Sequence, residues 1–156
     1  MDTTRRSPDV SKRPVTYDGG ACVAILPRTE YTLSGAASSI QEIVLEKYVD
    51  TLSWVSGVLL VRLYDRGSFT TGMSAKVVVQ NVSYADDEPQ TVFADTTPAN
   101  ESIVTIDSST NAPLLLPAAL KTPIARHVRV LLRFTEPATP VAATFTIGVD
   151  LLGRDA

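Results

Sequence analysis

Two stretches near the C-terminus carry the clearest alternation of hydrophobic and polar positions. In residues 126–134, Val128, Val130, Leu132 and Phe134 occupy one parity and His127, Arg129, Leu131 and Arg133 the other. In residues 141–151, apolar side chains again recur at every second position, with small or polar ones between. A period of two puts one parity on a buried face, so each stretch is predicted to be a strand. Pro137 and Pro140 lie between them and cannot donate to a ladder, so the pair is expected to form an antiparallel hairpin around residues 135–140.

The rest of the chain follows the same rhythm. An apolar run at residues 21–26 is expected to stop at Pro27, with residues 29–39 as a polar connection. Residues 40–49 are ambiguous. Ile40, Ile43, Val44 and Tyr48 fit a helical face, and Ser38 with Gln41 or Ser39 with Glu42 has the form of a capping box. Ile43, Leu45, Lys47 and Val49 instead alternate as in a strand, the run is rich in β-branched residues, and the strand is preferred.

The nearly continuous apolar run at residues 58–64 predicts a central strand buried on much of both faces. Across the turn cluster at residues 65–68, residues 74–84 set Ala75, Val77 and Val79 against Lys76, Val78 and Gln80, and the two strands are expected to pair. Residues 90–94 and 101–106 are short strand candidates beyond an acidic loop, Asp86, Asp87 and Glu88. Residues 113–117, bracketed by prolines, read as an edge segment or packed loop.

About eight strand-like segments joined by turn-rich connections, without alternating amphipathic helices, predict an all-β chain. The expected fold is a single antiparallel β-sandwich of jelly-roll or Greek-key type over residues 21–156. Residues 1–20 offer almost nothing apolar to bury and read as a flexible N-terminal arm that orders on a partner. No sequence repeat points to a propeller or solenoid.

Composition narrows the function by exclusion. The chain has 156 residues, 44% hydrophobic and 20% charged, enough for one domain with its own core. A formal net charge of −3 supplies no basic excess, and Arg5, Arg6, Lys12 and Arg13 nearly balance Asp2, Asp9 and Asp18, so nucleic acid is not an expected partner. No apolar stretch approaches the roughly 20 residues of a membrane span or follows Arg5 and Arg6 as a signal-peptide core. Neither membrane insertion nor classical secretion is expected.

The single cysteine, Cys22, lies in an apolar run and reads as a small buried residue rather than a reactive thiol. The single histidine, His127, reads as a surface residue among arginines. No Gly-x-Ser-x-Gly elbow, dinucleotide fingerprint or phosphate loop is present, and no cofactor is expected. The acidic loop at Asp86, Asp87 and Glu88 does not follow the alternating ligand order of a calcium loop, and a charged hairpin tip accounts for it.

Candidate ligand or interface residues are the aromatics Trp54, Tyr48 and Tyr64, and the arginines Arg62, Arg129 and Arg133, which would form a basic stripe if their strands were neighbours. Core packing or a barrel-end cap is the preferred use of Trp54. Together these features favour a non-enzymatic structural or assembly protein, a virion component that contacts copies of itself or a larger assembly. The alternative is a carbohydrate-binding module in which Trp54 and tyrosines stack on sugar, and an enzyme is the least favoured reading.

Overall fold

The computed structural model describes residues 15–17, 20–33, 40–85, 88–91, 101–135 and 142–155. Among these residues there are ten strands and no helix. The strands are β1 (Val15–Tyr17), β2 (Gly20–Leu33), β3 (Ile40–Asp50), β4 (Trp54–Asp65), β5 (Ser74–Ala85), β6 (Glu88–Thr91), β7 (Glu101–Asp107), β8 (Leu114–Ala119), β9 (His127–Thr135) and β10 (Ala143–Asp155).

They form two antiparallel sheets. Sheet 1 has the order β1-β2-β10-β4-β8; in sheet 2, β3, β9 and β5 lie side by side, with β6 and β7 both pairing β5. Most connections cross from one sheet to the other, and β2-β10-β4-β8 packed against β3-β9-β5-β7 is jelly-roll connectivity. The expected β-sandwich is therefore the fold observed.

Between the sheets, the inward parity of each strand forms one core. Val23 and Ile25 of β2, Leu59, Val61 and Leu63 of β4, and Ile147, Val149 and Leu151 of β10 face Val77 of β5, Val104 and Ile106 of β7, and Val128, Val130 and Leu132 of β9. An aromatic cluster centres on Phe145, fully buried, with Tyr31, Phe69 and Phe134 ring centroids 5.7–6.2 Å apart: Tyr31 stacks on Phe145, and the other pairs are tilted or edge-on. Side chains of this size account for much of the apolar area removed from water.

Several connections differ from the sequence reading. The two C-terminal stretches are not a hairpin: β9 lies between β3 and β5 in sheet 2, whereas β10 lies between β2 and β4 in sheet 1. Nor do β4 and β5 pair, since they also belong to opposite sheets. Alternation marks a strand and its buried face but carries no information about which sheet that face covers.

Pro27 does not end its strand. The β2–β10 register shifts between the Leu26↔Val149 and Thr29↔Ile147 pairs, so Pro27 falls at an irregularity where no ladder donor is required. Residues 29–33 thus continue β2 rather than forming the start of a connection. The preferred strand over residues 40–49 is present as β3, and register shifts between Val44 and Glu46 and between Glu46 and Val49 explain why its apolar spacing imitates a helix.

At the N-terminal end, Val15–Tyr17 pair with Gly20–Cys22, so sheet 1 begins inside the stretch expected to be an arm. The rest of that stretch, Asp86 and Asp87 of the acidic loop, and the loop bearing Pro137 and Pro140 lie outside the described residues. Glu88 opens β6. Residues 113–117, expected as an edge segment or packed loop, fall largely within β8 (Leu114–Ala119) at the margin of sheet 1.

Candidate interaction surfaces of the sandwich

The two outer faces of the sandwich have different chemistry. On sheet 2 the outward parity of β9 and β5 pairs Arg133 with Lys76, Leu131 with Val78, Arg129 with Gln80 and His127 with Val82. Glu101 of β7, only 5% exposed, accepts hydrogen bonds from Gln80 Nε2 at 2.9 Å and from Arg133 Nη2 at 3.0 Å. Arg133 Nε also donates to Glu42 at 3.2 Å, and Arg129 Nε to Gln80 Oε1 at 3.0 Å.

This network accounts for the electrostatics of the two arginines. Burial lowers the Arg129 pKa from its ordinary value, with the charges of Glu42 and Glu101 pulling the other way. Burial also lowers that of Arg133, but its hydrogen bonds and ion pairs with Glu101 and Glu42 outweigh it and the net shift is upward. Both guanidiniums are committed within the sheet, and they structure its outer face rather than offering a bare positive surface.

Arg62, the third arginine, is on β4 in sheet 1, at the opposite side of the sandwich, so the three form no stripe. Its guanidinium pairs with Asp150 of β10 at 2.6 Å. Arg62 passes over Gly148, where the absent side chain leaves room for both it and the Tyr64 ring.

The aromatic candidates are also dispersed. Trp54 is buried in the core at 5% exposure, and its ring covers Gly153: a Cβ built there would lie 2.1 Å from Cδ2 and Cε2. Tyr48 is fully buried and meets the His127 ring edge-on at 6.4 Å. Neither ring presents a face on which a sugar could stack. Tyr64 is half-buried, with the Arg28 guanidinium 4.7 Å from its centroid, a cation–π arrangement.

His127 is not a surface residue. Its parity is the one expected, opposite Val128, but that end of the sheet 2 outer face is closed, and His127 is 1% exposed between Val82 and Asp50 in the ladder and beside Tyr48. Burial lowers its pKa, with the Asp50 charge opposing and that of Arg126 adding to the effect.

The feature missed in the sequence is the outer face of sheet 1. Its outward positions form three rows across the strands. Cys22, Leu152, Val58 and Ala119 make the first; Ala24, Asp150, Leu60 and Pro117 the second; and Gly148, Arg62 and Leu115 the third. Leu115 is 54% exposed and Leu152 37%, and a groove of about 410 Å³ lies among Val58, Ala119, Leu152 and Arg154. Solvated faces of antiparallel sheets ordinarily alternate to polar residues; these three rows are apolar except for Cys22 and the Arg62–Asp150 pair, and Ser56 and Arg154 lie beyond the first row. The available signal was the run at residues 58–64, apolar at both parities, read as burial on both faces.

Cys22 belongs to the first row and is half-buried. Burial pushes its thiol pKa up, the Asp150 charge adds to this, and Arg62 partly offsets it. Among the described residues no three His, Cys, Asp or Glu side chains are grouped to hold a metal ion, and no helix is long and apolar enough to cross a membrane.

No family model matches the chain, and no curated protein is similar to it. Among solved structures, it is similar to a chain in the structure of infectious bursal disease virus, Gx strain, at TM-score 0.42 and 12% identity over 91% of this chain and 32% of that one. A chain of the glycosylation associate protein (Gap123) complex of Streptococcus agalactiae gives TM-score 0.40 and 12% identity, over 96% and 23%. Eiger TNF of S. frugiperda gives 0.36 and 12%, over 83% and 94%. This chain therefore spans under a third of the length of the first two, and likenesses this distant carry no function across.

Proposed function

We propose that this chain is a non-enzymatic structural subunit of a virion, such as a capsid, decoration or head-tail accessory protein, whose partners are copies of itself or a larger protein assembly. The observation that carries the reading is the apolar outer face of sheet 1. A jelly-roll face with Leu115, Pro117, Ala119 and Leu152 turned outward is suited to burial against protein. Jelly rolls recur in viral capsids, and that part of the support is fold-level analogy. On sheet 2 the side chains of Arg129, Gln80, Glu101, Arg133 and Glu42 are engaged with one another, as suits a structural face. On this reading the chain is located in the virion.

The test is the absolute mass of the purified chain by size-exclusion chromatography with light scattering, from micromolar to sub-millimolar concentration, with electron microscopy of the most concentrated sample. The expected result is a mass of several subunits or ordered particles. A single-subunit mass throughout the range would refute assembly by this chain.

A further inference from the structure

We draw no further inference here: the strongest candidate, the apolar outer face of sheet 1 with its groove of about 410 Å³ among Ser56, Gly57, Val58, Ala119 and Leu152, is an unpartnered face, and nothing in the structure shows what covers it.

Discussion

Gly153 and Trp54 give the sharpest test of the packing. In Gly153→Ala the added Cβ would lie 2.1 Å from two ring carbons of Trp54 and 2.5 Å from a third. Carbon atoms rest at about 3.5–4.0 Å, so the ring must retreat by about 1.4 Å or more. An indole is rigid, with no flexible end to swing aside, and this one is 5% exposed inside the core. Overpacking of this kind costs about 1–3 kcal/mol, and the rigidity of both partners argues for about 3. Trp54→Ala alone should cost about 3–5 kcal/mol through lost burial and the cavity left behind.

Independent losses would sum to about 6–8 kcal/mol, but the double variant lacks the ring that the new methyl strikes. Its cost should therefore stay near that of Trp54→Ala, a coupling of about 3 kcal/mol. The assay is urea unfolding followed by circular dichroism, because Trp54 is the only tryptophan and fluorescence would vanish with it. A Gly153→Ala protein within about 0.5 kcal/mol of wild type, or additive losses, would refute the described contact.

Other outcomes follow from the buried polar groups. Glu101→Gln should lose about 2–3 kcal/mol, less than the full cost of breaking a buried pair because Arg133 keeps Glu42, whereas Glu42→Ala, at a side chain 48% exposed, should lose under about 1 kcal/mol. Equal losses in urea unfolding would contradict the burial difference. The folded-state pKa of His127 lies below its unfolded value, so the unfolded chain takes up the proton first. Stability should then fall as pH drops through about 6.5 and level off below the folded pKa. Comparing urea midpoints at neutral and mildly acidic pH, His127→Phe should flatten that window; an unchanged slope would count against it. With its pKa raised by burial, Cys22 should react with a thiol reagent at mildly alkaline pH more slowly than the same cysteine in urea-unfolded chain. Equal rates would contradict its placement.

The sequence by itself determined the strands and the face each one buries. Val128, Val130, Leu132 and Phe134 are inward in β9, as are Ala75, Val77 and Val79 in β5, because a residue's parity along an extended chain is a local property. The all-β class was legible for the same reason, and the prolines bracketing residues 113–117 marked an edge segment or packed loop where β8 now lies at the sheet margin. Among the candidate residues, the preference for Trp54 as a core side chain came from composition and position, and the structure places it there.

Only the tertiary structure decided which strands meet. Sheet membership of β9 and β10, the separation of Arg62 from Arg129 and Arg133, the burial of His127 beside Tyr48, and the alignment of Leu152, Val58 and Ala119 into one row all depend on register between segments far apart in sequence. Pairing is selected by how whole faces pack and how loops close, and neither is encoded in any one segment. An outward apolar parity looks in sequence like a second buried face. It is an exposed face only because the fold leaves it at the outside of the sandwich.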